Sequence, residues 1–243
     1  MKKKILSIMI LFSLLFSLSS QGACLEGRGT EAAVSVQNPY ADLSRIRVPS
    51  GTETLIIVAA GGEQKNATGE LFLYERSEGK NSWQEVLSGV PAKLGRGGVG
   101  KTVEGDQKTP LGMFSMNTPF GIRDAEAGFP GNYIKVNSSH YWSAEKATYN
   151  RLCTVEKDGA YTSSSEHLID YSGYYDYCID IGYNPERTAG KGSALFLHCE
   201  VNGQNTGGCI AIPSEHMKTI LRHYAEGGTV IVIENKGNFE KYY

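Results

Sequence analysis

Residues 192–213 read GSALFLHCEVNGQNTGGCIAIP, and the rest of the chain is best read outward from them. In an extended run over 194–201, successive side chains alternate between faces. Phe196, His198 and Glu200 then share one face, and Leu195, Leu197, Cys199 and Val201 share the other. His198 and Cys199 therefore cannot serve one site. Asn202-Gly203-Gln204-Asn205 turns the chain, Thr206-Gly207-Gly208 leads it back, and Cys209 heads a second strand over 210–212. The pattern predicts a hairpin that returns Cys209 to the neighbourhood of His198.

A thiol facing an imidazole is the arrangement a cysteine nucleophile needs. The ordinary thiol pKa is about 8.5, and a nearby imidazolium lowers it toward thiolate at working pH. The glycines before Cys209 leave the backbone bare, so the N–H groups of Gly208 and Cys209 can point at a developing oxyanion. Singly, a strand histidine, a small apolar cysteine and a glycine turn all have plain structural explanations. Jointly they suit acyl transfer. A metal site built from His198, Cys199, Cys209 and His216 is disfavoured by the opposite faces of His198 and Cys199 and by the lack of Cys-x-x-Cys spacing. No metal and no cofactor are expected.

The flanking sequence supplies more strands. TLIIVAA at 54–60 is an apolar β run, GELFLYER at 69–76 alternates, and further short strands are predicted over 81–86, 113–116, 133–136, 177–181 and 229–234. One helix is supported: Pro213-Ser214 opens it, Met217, Ile220, Leu221 and Tyr224 form its apolar stripe, and Gly227-Gly228 ends it. With 29 glycines and few helices, the chain reads as mainly β, a single β-sandwich or barrel-like domain with one helix in its C-terminal region. The long segment 142–173, poor in strand pattern, is expected as a lid over the hairpin.

At the N-terminus, Lys2, Lys3 and Lys4 precede an apolar run and then small residues, which is the pattern of an export signal over 1–23. A tether is expected over 24–52, the folded domain over 53–236 and a tail over 237–243. Gly22-Ala23-Cys24 also resembles the end of a bacterial lipoprotein signal, with Gln21 where that pattern prefers leucine. A soluble exported protein and one anchored through a lipidated Cys24 both stay open. Removing 1–23 takes three lysines from the 24 Lys+Arg against 26 Asp+Glu, so the net charge moves from −2 to −5. No basic surface is left to follow nucleic acid.

LGRGGVGKT at 94–102 satisfies the phosphate-loop pattern letter for letter. A nucleotide site needs a helix directly afterwards, and Gly105 and Pro110 would break it. The stretch is read as a glycine-rich turn between strands.

At His198 and Thr206-Gly207-Gly208-Cys209 the chain resembles the YkuD-type L,D-transpeptidase catalytic domain, whose motif is a histidine near a strand end followed by Ser/Thr-x-Gly-Cys. The similarity continues through 95–98, EGDQKTPLGMF at 104–114, Tyr149-Asn150, Ser165-Glu166, Gly182-Tyr183-Asn184 and Gly192-Ser193-Ala194, covering 54–234. Two positions depart from it: Gly207 stands where many members carry histidine, and Ala211 where many carry arginine.

The resemblance implies a β-sandwich enzyme of the periplasm or cell envelope, acting as a monomer on peptidoglycan stem peptides. Cys209 would form a thioester and His198 would move the protons. Gly208 and Cys209 would supply oxyanion donors, and Thr206, Gly207, Tyr183 and Asn184 would contact substrate. A backbone carbonyl would orient the imidazole, and carbapenems would acylate Cys209. Export permits a disulfide, for which Cys153 and Cys178 are the expected pair. The competing readings are a non-catalytic peptidoglycan-binding envelope domain and a sortase-like protein transpeptidase, the latter lacking its usual Thr-Leu-x-Thr-Cys segment here.

Overall fold

The run TLIIVAA forms a strand, Thr54–Ala60, in which every residue is buried. Its side chains point alternately to two apolar layers: Ile56, Val58 and Ala60 to one, Leu55, Ile57 and Ala59 to the other. A strand covered on both faces has no polar side, which is why this run is continuous where half-buried strands alternate.

The structure is a computed structural model that describes residues 37–62, 64–76 and 82–243. In chain order the strands are β1 (Thr54–Ala60), β2 (Thr68–Glu75), β3 (Gln84–Lys93), β4 (Gly98–Val99), β5 (Lys108–Thr109), β6 (Gly112–Ser115), β7 (Pro119–Gly121), β8 (Ile134–Lys135), β9 (His140–Ser143), β10 (Arg151–Thr154), β11 (Glu166–His167), β12 (Cys178–Asp180), β13 (Phe196–Cys199), β14 (Ile210–Ile212) and β15 (Thr229–Asn235). Helix α1 is one turn, Val155–Asp158, and α2 is Ser214–Arg222. A curled ten-stranded sheet runs β6-β15-β1-β2-β3-β14-β13-β12-β7-β8, and β10-β9-β11 make a separate three-stranded sheet. The mainly β fold with few helices agrees with the sequence pattern.

Helix α2 covers one face of the main sheet with Met217, Ile220, Leu221 and, just past its end, Tyr224. It stops at Arg222, short of Gly227-Gly228, and the N–H of His223 closes it onto Thr219 and Ile220. The other face is covered by chain expected to lie outside the domain. Of the segment expected as a tether, 24–36 fall outside the described residues, while Ala41, Leu43 and Ile46 are buried under β1, β2 and β15. Phe239, in the segment expected as a tail, is 1% exposed in the same layer. Burying each such large side chain stabilises by roughly 1.5–3 kcal/mol. The packed unit therefore extends beyond 53–236 in both directions.

The strand β3 runs through Gly89 and Pro91. Register shifts opposite Leu71 and Leu73 mark a bulge there, with Gly89 at φ +61°. It meets β14 only at Lys93↔Ala211, so Pro91 removes no ladder bond on that side.

The four described cysteines, Cys153, Cys178, Cys199 and Cys209, are free and buried. The expected Cys153–Cys178 disulfide is absent because Cys153 belongs to the small sheet and Cys178 to the large one. Among the described residues no helix is long and apolar enough to cross a membrane. The export signal and Cys24 lie outside the described residues.

Candidate active site

Strands β13 and β14 are parallel, pairing Leu197↔Ile210, His198↔Ala211 and Cys199↔Ile212. The expected hairpin is therefore corrected to a crossover. Residues 200–209 leave the sheet, dock on the glycine loop through Gly95↔Thr206, and return to run in the same direction. Asn205 pins this excursion, its Nδ2 donating to the carbonyls of Ala67 (2.6 Å) and Leu94 (3.0 Å). The face assignment stands in the structure: Leu195, Leu197 and Cys199 pack under α2, and Phe196 packs with Cys209 on the opposite side. Cys209 is level with Phe196 and diagonal to His198.

The thiol of Cys209 sits between two backbone groups. The N–H of Phe196 donates to Sγ (3.3 Å), and Sγ–H donates to the carbonyl of Ala194 (3.3 Å). Ala194 is held at φ +53°, and its own N–H donates to Oδ1 of Asn150 (3.2 Å). That same oxygen accepts from Nε1 of Trp142 (2.9 Å). The small sheet, through Trp142 and Asn150, thus fixes the carbonyl that positions the thiol.

Nδ1 of His198 lies 2.8 Å from the carbonyl of Cys199. A carbonyl only accepts, so Nδ1 carries the proton and Nε2 is left as the base. The ring is walled edge-on by Tyr175 at 5.5 Å and Tyr174 at 6.2 Å. Burial pushes the Cys209 thiol up to about 12, with Glu166 adding to the push and the Phe196 N–H opposing it. Burial pushes His198 down to about 4 against the Cys199 carbonyl. The resting pair is thus a neutral thiol and a neutral imidazole, in place of the expected thiolate beside an imidazolium, because an apolar site penalises both charges.

Both residues line a cavity of about 390 Å³, together with Arg96, Lys101, Glu166 and Tyr175. Tyr175 donates from its hydroxyl to Oε2 of Glu166 at 2.7 Å. Burial raises Glu166 to about 7 against that hydrogen bond, and Glu104 adds to the rise.

The other expected site residues divide. Thr206 and Gly207 line the cavity. Thr206 also clamps the turn, its hydroxyl donating to the Cys209 carbonyl (2.6 Å) and accepting from the Gly208 N–H (3.1 Å). Of the two expected oxyanion donors, Gly208 is therefore already engaged in this structure. Tyr183 and Asn184 do not line the cavity. Asn184 is buried in its own loop, its Nδ2 donating to the carbonyls of Thr188 and Gly192 at 3.0 Å each. Tyr183 packs on Phe114 and donates to the Lys191 carbonyl. Their chemistry is spent on holding the 182–192 loop.

The phosphate-loop lookalike closes on itself. Lys101 Nζ lies 2.9 Å from Asp106 and donates to the Val103 carbonyl. Burial opposes the charge on Asp106, but the N–H groups of Thr102, Lys108 and Val103 and the Lys101 ammonium outweigh it and hold the carboxyl at about 2. The chain next forms β5 and β6, with no helix to receive a phosphate.

Sequence reasoning named Asn150, Glu166 and Ala194 only as positions of family likeness and Tyr175 only as one of many aromatics, and gave none of them a role at the site. The signal for Glu166 was a carboxylate in a segment already expected to cover the site.

A profile of the YkuD family, described as L,D-transpeptidase catalytic domain, matches residues 65–233. No curated protein sequence matches the chain. Among solved structures it is similar to Bd1075 of Bdellovibrio bacteriovorus, with 16% identity, 82% of this chain and 56% of that chain covered, and a TM-score of 0.41. It is also similar to the helical cell shape determining protein Pgp2 of Campylobacter jejuni, with 17% identity, 80% and 54% covered, and a TM-score of 0.39. The chain spans about half the length of these structures, 56% and 54%.

Proposed function

The chain belongs to the YkuD family of L,D-transpeptidase catalytic domains, and from that premise we propose that it is an exported cysteine acyltransferase acting on peptidoglycan stem peptides. The observation that carries this reading is the placement of Cys209 and His198 on one sheet face and in one cavity, with the imidazole fixed by the Cys199 carbonyl.

In the proposed reaction, Nε2 of His198 takes the thiol proton as Sγ attacks the carbonyl of the L-centre in a tetrapeptide stem. The neutral resting pair means that charge develops only as the bond forms. The oxyanion would be met by the Cys209 N–H, joined by the Gly208 N–H once it leaves Thr206. Collapse breaks the amide bond. The imidazolium gives its proton to the departing D-alanine amine, leaving a Cys209 thioester. An acceptor amine then attacks, losing a proton to His198 and expelling the thiolate, which is reprotonated. Water in place of the amine makes the same site a carboxypeptidase.

The test is mass spectrometry of disaccharide-tetrapeptide muropeptides incubated with the mature protein, with Cys209→Ala as control. Cross-linked dimer or tripeptide that depends on Cys209 supports the reading. No change with folded protein contradicts it and favours a non-catalytic peptidoglycan-binding domain.

Attachment through a lipidated Cys24 and free export both fit this reading, and one labelling experiment separates them. Metabolic labelling with a tagged fatty acid marks an anchored protein and leaves Cys24→Ala unmarked; an unlabelled wild type, or label retained in Cys24→Ala, refutes the anchor.

A further inference from the structure

The cavity beside Cys209 carries a charge pattern that the acyl-transfer steps above do not use. Glu166 reaches it from the small sheet and Glu104 from the glycine-loop side. A second cavity of about 360 Å³, bordered by Trp142 and Tyr149, shares Glu104, Glu166, Ser193 and Ala194 with the first. The two carboxylates therefore stand where the cavities meet, beside the residue whose carbonyl positions the thiol.

Each carboxylate is held by one oxygen. Oε2 of Glu166 accepts from Tyr175, and Oε2 of Glu104 accepts from Ser193 (3.0 Å) and from Tyr149. Neither is ion-paired among the described residues. Of the two cations that line the cavity, Lys101 is committed to Asp106, and the Arg96 guanidinium lies by Gly207 and is ion-paired with neither glutamate. Burial and the neighbouring Glu104 together push Glu166 toward its protonated form, and a cation docked beside the carboxylates relieves that pressure and favours its charged form. A divalent metal ion takes six or more oxygen ligands, or about four nitrogen and sulfur ligands. Among the described residues no group of three His, Cys, Asp or Glu side chains is placed to hold one. A primary ammonium, with three donors and one charge, fits two half-used carboxylates.

We propose that Glu166, seconded by Glu104, is the specificity-determining contact for the acyl acceptor, docking the ammonium of a diamino acid side chain beside the Cys209 thioester. This rests on the acyl-transfer reading and adds what the site does after the thioester forms. The carboxylates raise the local concentration of amine over water at the thioester, so they tip the outcome toward cross-linking. Glu166 is a binding contact here, and the proton moves remain with His198: Nε2 first takes one proton from the docked ammonium and passes it to solvent, and then takes the second as the neutral amine attacks, returning that one to the departing thiolate.

A disaccharide-tripeptide muropeptide serves as the probe, because it lacks the terminal D-alanine and can act only as acceptor. Its binding, and that of the same muropeptide with the side-chain amine acetylated, is measured by calorimetry on wild type and Glu166→Gln. Glutamine keeps an oxygen for the Tyr175 hydroxyl and removes the charge. The free amine is expected to bind wild type roughly tenfold more tightly than the acetylated form, as loss of a charge-assisted contact implies. That preference should vanish in Glu166→Gln, while the acetylated form binds both proteins equally and so reports that the variant is folded. Equal binding of both forms to wild type, or a preference that survives in Glu166→Gln, overturns the inference alone. Binding of neither form contradicts the peptidoglycan reading and the inference with it.

Discussion

Sγ of Cys209 lies 3.3 Å from the carbonyl oxygen of Ala194, a residue held at φ +53°. That backbone conformation is unusual for a residue with a side chain, and it aims the carbonyl at the thiol. The hydrogen bond from the Ala194 N–H to Asn150 holds it there. Several expected outcomes come from this thiol-centred arrangement.

Asn150→Ala strands two donors, the Trp142 indole N–H and the Ala194 N–H. Leaving a buried donor unpaired costs about 1–3 kcal/mol. Thermal unfolding should show a destabilisation of that order, and alkylation of the Cys209 thiol in the folded protein should change as its anchoring carbonyl is released. An unaltered melting temperature and an unaltered alkylation rate would contradict the role given to Asn150.

Thr206→Val removes the hydroxyl that bridges the Gly208 N–H and the Cys209 carbonyl, and Thr206→Ser keeps it. Valine should lower the rate of Cys209 acylation by at least tenfold, and serine should restore most of it. Equal rates for the two variants would mean that the clamp is dispensable.

Gly208 sits at φ +137°, and a Cβ there would meet the Lys108 carbonyl at 2.8 Å. Gly208→Ala should cost about 1–3 kcal/mol through strain and displace the Cys209 N–H from its place. Urea unfolding checks the first effect and acylation kinetics the second.

The burial of the pair has a pH signature. His198 is lowered to about 4, so the unfolded chain binds more protons between that value and the ordinary 6.5. Stability from this group is full above 6.5 and is lost as pH falls toward 4. Glu166, raised to about 7, acts the other way: the folded protein holds its proton longer, so stability falls as pH rises from about 4.5 to 7. The two slopes oppose each other in wild type. In Glu166→Gln the histidine slope is unmasked, and denaturant midpoints should climb more steeply from pH 4.5 to 6.5. Parallel profiles for the two proteins would contradict the environment assigned to Glu166.

Much of the fold was legible because its strands carry their pattern locally. TLIIVAA and the three residues Ile210–Ile212 occupy the expected positions, and the 3.6-residue stripe of α2 needed no tertiary information. The direction of β14 did not show. A glycine-rich turn between two short strands reads as a hairpin, and only the docking of Thr206 on Gly95, 111 residues away in sequence, makes it a crossover. The short strands β9, β10 and β11 were hidden for a related reason. Their residues are chosen to cover the site, with Trp142 of β9 and Leu152 of β10 packed on the aromatic cluster around Phe196, and so they lack clean alternation. The packing of Leu43 and Ile46 followed from β1 being apolar on both sides, a clue that points to a missing cover without saying which segment supplies it. At the site, Cys209 and His198 stood out by residue type and spacing, whereas the side-chain oxygen of Asn150 and the backbone of Ala194 act through a packed arrangement that spacing alone does not express.

The most direct test of the central claim is the intact mass of the mature protein after brief incubation with a disaccharide-tetrapeptide donor and no acceptor. The account predicts an adduct equal to the donor less D-alanine, located on Cys209, released by hydroxylamine and absent from Cys209→Ala. A donor processed at the wild-type rate by Cys209→Ala, or an adduct on Cys153, Cys178 or Cys199 instead, would contradict it.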